Sequence, residues 1–328
     1  MKRLALLFLV AALFLSGCVS KTPTEATIFA MNTQMSLRLY GDRDGAQMRT
    51  LRELIASLDK KLSVTDERSE TSALNRTGES ADPDVLALLK TAKELNRRTD
   101  GALDVTVYPL VRLWGFTTED YRVPTPEEIA ALLPLVGADR IALTDGTARL
   151  EVGTEADFGA LAKGYAADLC RSSMEQAGLS GILSLGGNLQ TVGSKPDGTP
   201  WTVGVQDPDD PAAIRVKLTL TGSRAVVTSG DYQRYFTQGD TRYCHILDPK
   251  TGSPVQGTLR SVTVVAQSGL LADGLSTALF VLGLERGEAL WRESDDFEAI
   301  WIDRDGTITV TEGLAPLASD CAFEVIRR

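Results

Sequence analysis

The sequence predicts an α+β fold in a single domain. Three observations carry that reading. Helix-periodic and strand-like runs follow one another in unequal numbers, two Asp-Gly pairs mark hairpins, and no stretch rich in Pro, Gly or Ser divides the chain. A regular doubly wound sheet would alternate strand and helix throughout. Mixed sheets with packed helices leave room for two lobes and a site in the cleft between them.

Residues 47–62 place Met48, Leu51, Leu54, Ile55, Leu58 and Leu62 on one helical stripe. Residues 84–98 do the same with Val85, Leu88, Leu89, Ala92 and Leu95, and stop before Gly101. The stretch Gly101 to Val107 reads as a strand that continues through Pro109-Leu110 into the aromatic turn Trp114-Gly115-Phe116. Thr125 opens a third helix, with Pro126 at its first position and Glu128 placed for a capping box. Asp145-Gly146 joins two strands, and a helix follows Gly159 and closes near Gly178. Strand-like runs then occupy 181–185, 201–206, 214–220, 224–228, 242–247 and 260–266. Helices at about 270–282 and 285–293, and a hairpin turning at Asp305-Gly306, complete the order.

Composition narrows the functions. The 328 residues are 43% hydrophobic and 24% charged, an ordinary globular balance that excludes disorder, collagen and coiled coil. With 34 Lys+Arg against 44 Asp+Glu the net charge is −10, and no basic run suits an electrostatic nucleic-acid binder. His245 is the one histidine, so any imidazole chemistry falls on it. Beyond Cys18 stand Cys170, Cys244 and Cys321, an odd number without metal-ligand spacing, best read as buried or incidental thiols.

The chain begins with Lys2 and Arg3, then an apolar run from Leu4 to Leu15, then Ser16-Gly17-Cys18. That order reads as a bacterial lipoprotein leader over residues 1–17, with Cys18 lipidated and residues 18–27 a polar tether to a domain at 28–328. An ordinary secretory signal with a chance cysteine, or an uncleaved anchor, is the alternative reading. The lipid-anchored reading places the domain at the extracytoplasmic, periplasmic face of a bacterial membrane.

Several segments put glycines and polar groups at the ends of apolar elements. Asp157 to Tyr165 carries Gly159, Lys163 and Gly164 at a helix start, where free N–H groups and a lysine suit a phosphate. It lacks the Lys-Ser/Thr pair of a P-loop, and such glycines also serve close packing. Ser184-Leu185-Gly186-Gly187-Asn188 is a tight turn, or a place where backbone approaches a ligand. Thr228 to Tyr232 and Tyr243 to Gly252 bring a Ser-Gly-Asp turn and His245 with Asp248 three residues on. An imidazole there suits proton transfer, with an ordinary pKa of about 6.5. Asp273 and Thr277 lie four apart and share a helix face, offering hard oxygen ligands to Mg²⁺; a capping role explains Asp273 equally well.

Together these segments resemble the ApbE family, the bacterial FAD:protein FMN transferases. The ordered blocks are GALDVTVYPLVRLWGF, DFGALAKGYAAD, LSLGGN, TSGDYQRYF, HILDPKTGSPV and ADGLSTALFVLG, and the likeness runs from Met31 to about Leu282. The resemblance implies FAD as substrate and a Mg²⁺ site in one cleft. It implies flavin contacts at Met31, Ala102, Leu103, Asp104, Asp157, Lys163 and Leu247. It implies metal ligation by the Ala160 carbonyl, Asp273 and Thr277, and His245 as catalytic base. The reaction implied is transfer of FMN from FAD to a Thr or Ser hydroxyl of a target protein, with AMP leaving. The targets implied are subunits of membrane electron-transport complexes of the Na⁺-translocating NADH:quinone reductase or related type. A Mg²⁺-dependent FAD pyrophosphatase and an extracytoplasmic flavin-binding lipoprotein are the alternatives. Three positions depart from the family pattern: Asn32 stands for a glycine, Thr65 for an aromatic ring, and Ser276 for an acid found in some members.

The leader yields the first prediction. Cys18→Ala should release the protein from membranes or leave its leader uncut, while a chain starting near residue 20 keeps its activity. Membrane fractionation of the variant checks this, and unchanged fractionation with normal processing would overturn lipidation.

Overall fold

The computed structural model describes residues 22–328; the segment expected to form a leader, Cys18 and the first part of the expected tether lie outside the described residues. The chain opens with β1 (Thr24–Ala30) and β2 (Thr33–Tyr40), joined by Met31 and Asn32 at φ 48° and 57°. Two residues at positive φ match the twist of a tight hairpin. Thr24 to Thr27, expected within a polar tether at residues 18–27, pair instead with β2. Next come α1 (Ala46–Leu62), α2 (Glu70–Thr77), β3 (Glu79–Ser80) and α3 (Pro83–Arg98). The apolar stripes of α1 and α3 are buried, and Asp82 caps α3 by accepting the Asp84 and Val85 N–H groups.

The stretch 101–107 is not a strand. The Asp104 carboxylate accepts the Thr106 N–H at 2.8 Å and its hydroxyl at 2.5 Å, while Asn96 donates to the Leu103 carbonyl at 2.8 Å. Side-chain bonds of this kind compete with sheet pairing and wind 105–107 into a 3₁₀ turn. That turn runs into α4 (Tyr108–Leu113), followed by α5 (Pro126–Leu132) with its capping box formed. The hairpin β4 (Ile141–Thr144) and β5 (Thr147–Leu150) turns at Asp145-Gly146, and α6 (Ala162–Gln176) follows.

The second half is strand-rich: β6 (Ser180–Leu185), β7 (Asn188–Val192), β8 (Trp201–Gln206), β9 (Ile214–Leu220), β10 (Arg224–Gly230), β11 (Tyr235–Gln238) and β12 (Thr241–Cys244). The run 242–247 breaks at His245, and β13 (Leu247–Asp248) pairs instead with β14 (Ser253–Pro254). Then come β15 (Leu259–Ala266) and α7 (Gly269–Arg292), which bends at Gly283, φ 77°, into the two helices that the sequence predicts. The chain closes with β16 (Phe297–Asp303), β17 (Ile308–Thr311), β18 (Ala318–Ser319) and β19 (Glu324–Ile326).

Among the described residues the main sheet has nine strands in the order β1-β2-β6-β7-β10-β15-β16-β17-β19. Strand alternation divides its side chains between two cores. Ala225, Val227, Val262, Val264, Ala299 and Trp301 face the helical layer with α1, α3, α6 and α7. Val226, Val265, Ile300 and Ile302 face the small sheet β18-β9-β8 and its Val203, Val205 and Leu218. A third cluster gathers Leu110, Trp114, Phe116 and Leu247 in a small aromatic lobe. Among the described residues Cys170, Cys244 and Cys321 are all free thiols. Among the described residues no helix is long and apolar enough to cross a membrane.

Helices α6 and α7 pack closely: a Cβ on Gly164 would lie 2.2 Å from the Gly269 carbonyl oxygen. Gly164→Ala should therefore destabilise the fold by about 1–3 kcal/mol through overpacking. A urea titration reads this as a lower midpoint; an unchanged midpoint would show that the helices can part freely.

Candidate active site

The site is built from turns at one end of the main sheet. Gly186 and Gly187, φ 61° and 91°, connect β6 to β7, and only glycine fits the first: a Cβ there would lie 2.2 Å from the Thr33 side chain. The β1–β2 tip is thereby pressed against the glycine turn. Met31 is fixed in that tip by its N–H, which donates to Asp59 at 2.8 Å. On the other side of the turn, a Cβ on Gly187 would lie 3.3 Å from the Gln233 amide.

The start of α6 supplies the next layer. Asp157 donates its backbone N–H to Val105 at 2.8 Å, which ties the 102–106 segment to this edge. Its carboxylate accepts the Gly159 N–H at 2.9 Å. Burial pushes that carboxyl above the ordinary range, opposed by the Gly159 N–H and by the charges of Arg234 and Lys163. Lys163 lies half-buried, its Nζ 3.3 Å from the Gly159 carbonyl, with the half-buried Ala160 between them in sequence. Ala102, Leu103 and Asp104 bury their side chains, so backbone is what they can offer a ligand. Asp104 spends its carboxylate on Thr106 and Asn96, and burial raises its pKa against the Thr106 bonds.

Asp273 is buried in α7 and does not cap its own helix, a task that Ser268 performs. Its Oδ2 accepts the Gly164 N–H of α6 at 2.8 Å. Burial raises the carboxyl, while the Lys163 charge, that N–H and the Asn188 amide pull it down. One turn on, the Ser276 hydroxyl lies 2.8 Å and the Thr277 hydroxyl 3.3 Å from the Ser229 hydroxyl of β10. Among the described residues no three His, Cys, Asp or Glu side chains gather as a metal cage. A divalent ion here would rest on one carboxylate with hydroxyl and carbonyl oxygens, a hard donor set that suits Mg²⁺. The buried Asn188 amide lies beside the Asp273 carboxylate and makes no other hydrogen bond through Nδ2. The residues fit a magnesium-bound phosphate.

His245 sits where β12 ends. Its N–H donates to the Arg234 carbonyl at 3.0 Å, and its ring Nδ1 lies 3.2 Å from the same oxygen. A carbonyl only accepts, so Nδ1 carries the proton and Nε2 keeps the lone pair. Phe116 meets the ring edge-on at 6.5 Å and 68°. Burial, with Arg234 and Lys163 nearby, lowers the imidazole to about 4, well below the ordinary value expected from sequence. Asp248 turns its carboxylate to the Lys250 N–H at 2.9 Å and shapes the following loop instead of facing the imidazole. Leu247 is buried in the aromatic lobe, where the Trp114 indole donates to Gly252 at 2.8 Å.

Asp157, Lys163, His245 and Asp273 thus form one electrostatic unit, since the Lys163 charge acts on all three others. Asn188 of the glycine turn, Ser229 of the Ser-Gly-Asp turn and Arg234 of the TSGDYQRYF block join them, though the sequence alone assigns none of the three a role of its own.

Residues 31–301 match the sequence model of the ApbE family. The chain belongs to the ApbE family. It is 33% identical over 300 residues to the FAD:protein FMN transferase of Vibrio cholerae, covering 87% of this chain and 89% of that protein. The FAD:protein FMN transferase of Escherichia coli K12 is 33% identical over 310 residues, covering 87% and 88%. Among solved structures, the ApbE protein of Thermotoga maritima superposes with a TM-score of 0.85 at 32% identity, covering 91% of this chain and all of that one. The apo flavinyl transferase ApbE of Pseudomonas stutzeri gives 0.82 at 32% identity, covering 92% and 98%. The mixed α+β, single-domain architecture is therefore that of the ApbE structures.

The imidazole environment of this ApbE chain makes a direct prediction. With its folded pKa depressed to about 4, His245 should stay neutral through pH 5–7 and protonate only as the pH falls toward 4. The acid limb of kcat/KM for FAD should follow it, because that parameter reports the free enzyme. NMR titration of the single histidine checks the midpoint, and a value near 6.5 would contradict the buried environment.

Proposed function

We propose that this protein transfers FMN from FAD to a Thr or Ser hydroxyl of a target protein, working from a lipid anchor on the extracytoplasmic face of the membrane. The observation that carries the reading is the neutral imidazole of His245, fixed through Nδ1 beside the Lys163 and Arg234 charges. The relatives' names, FAD:protein FMN transferase, agree with it.

The acceptor oxygen attacks the phosphorus nearer the flavin. A new P–O bond forms, the bond to the AMP phosphate breaks, and AMP leaves. The acceptor proton passes to His245 Nε2, whose lone pair is exposed because Nδ1 is held by the Arg234 carbonyl. Lys163 lies at the start of α6, where its ammonium and the helix N–H groups favour a diphosphate. The Ala160 carbonyl, Asp273 and Thr277 are the residues that would hold Mg²⁺, which when bound offsets the charge of the diphosphate. The targets fitting this reading are subunits of membrane electron-transport complexes of the Na⁺-translocating type that carry covalent flavin.

The test is incubation of the protein with FAD, Mg²⁺ and a Thr-bearing acceptor, with in-gel flavin fluorescence and AMP release as readouts. Fluorescent acceptor with stoichiometric AMP is expected. AMP and free FMN without labelled acceptor would mean hydrolysis instead.

His245→Ala should lower the saturated transfer rate by roughly 10²-fold or more. Its FAD affinity should change little, because the lost interaction belongs to the transition state. Asp273→Ala should abolish Mg²⁺-dependent turnover, and chelation should do the same to the wild type. A saturated rate within a few-fold of wild type would remove His245 from the mechanism, and full activity in metal-free buffer would remove the magnesium.

A further inference from the structure

Arg234 meets the site in three ways. Its carbonyl receives both the His245 backbone N–H, at 3.0 Å, and the ring at Nδ1, at 3.2 Å. Its guanidinium donates to the carbonyl of Phe116, the aromatic residue standing edge-on to the same imidazole. Its charge acts on Asp157 at the start of α6 as well as on His245. One residue thus grips the ring on its Nδ1 side and fastens the wall beside it. The guanidinium hydrogen bond to Phe116 goes to a neutral oxygen, so that contact leaves its charge uncompensated. An arginine keeps this charge at every working pH.

We infer that Arg234 is a positioning residue for the transfer step, holding His245 with Nε2 free and setting a fixed positive charge beside the diphosphate of the bound nucleotide. The inference rests on the reading of the site as an FAD site. The charged groups that face the imidazole are Arg234 and Lys163, so removing one leaves the other. The backbone carbonyl stays in any variant, which makes the side chain the testable half. Arg234→Met removes the charge while keeping an unbranched chain of related length. Arg234→Lys keeps the charge and loses the planar fork.

The experiment compares wild type, Arg234→Met and Arg234→Lys by NMR titration of the single histidine and by FAD binding in Mg²⁺ buffer at two salt concentrations. Arg234→Met is expected to raise the histidine midpoint toward 6.5 and to weaken FAD roughly tenfold, with a shallower salt dependence. Arg234→Lys is expected to keep the midpoint low and to recover most of the affinity. A purely structural arginine would lower thermal stability in both variants and move neither readout in the folded protein. An unchanged midpoint with unchanged FAD affinity in folded Arg234→Met would overturn the inference, and so would equal losses in the Met and Lys variants. Neither readout needs an acceptor protein. A finding that AMP forms without flavinylation would therefore correct the transfer reaction and leave this inference standing.

Discussion

The contact on which the site depends is the crossing of α6 and α7 at Gly164 and Gly269. Two residues without side chains let the helices approach until a Cβ on either would strike the other's backbone. At that distance the Asp273 carboxylate of α7 reaches the Gly164 N–H of α6, one of the N–H groups that a helix start leaves unpaired. The bond therefore does two things at once. It satisfies an orphan donor in a buried place, and it fixes a carboxylate one turn from the Ser276 and Thr277 hydroxyls. A side chain at either glycine would part the helices and separate Asp273 from Lys163.

Charge at this end of the sheet is arranged at some cost in hydration. Asp157 and Asp273 are both pushed upward by burial, and His245 is pushed downward, so each ionised form is disfavoured by lost hydration. Lys163 opposes that trend for both acids and Arg234 for Asp157 alone, and both cations reinforce it for the imidazole. The outcome is a site that holds a neutral imidazole beside two cationic side chains. That combination suits an anionic diphosphate and a neutral hydroxyl better than it suits either alone. Elsewhere the charged pairs are mostly solvent-facing, such as Arg122 with Glu128 at 2.9 Å, and contribute little by comparison.

Local signals in the sequence were enough for the elements that carry them. The stripes of α1 and α3, the Thr125 capping box and the Asp-Gly hairpins follow from short-range chemistry, and each forms as the pattern requires. The misreadings share a cause. Gly101 to Val107 has strand-like side chains, yet Asp104 and Asn96 bond the backbone locally and win over sheet pairing. The edge hairpin β1–β2 hides behind a polar composition, because only every second residue of β1 turns inward. The strand at 242–247 breaks because the His245 N–H pairs with Arg234 across a bend.

The site shows the same division more sharply. Asp273 and Thr277 were visible as a pair because helix spacing joins them, and Lys163 because glycines flank it. Ser229, Asn188 and Arg234 come from β10, β7 and the loop after β10, and no periodicity links them to those helices. Their meeting is a product of sheet order: β7, β10 and β15 lie side by side beneath α7, which carries Ser229 to the Ser276 hydroxyl. The glycine turn at 186–187 sits at the open end of the same strands, where the backbone comes within reach of the β1–β2 tip. An imidazole placed there by a broken strand gains what a regular strand would deny it. The bend turns Nδ1 back onto the Arg234 carbonyl and leaves the Nε2 lone pair free. The irregularity at His245 is thus the feature that turns a sheet edge into a place where an imidazole presents a free ring nitrogen.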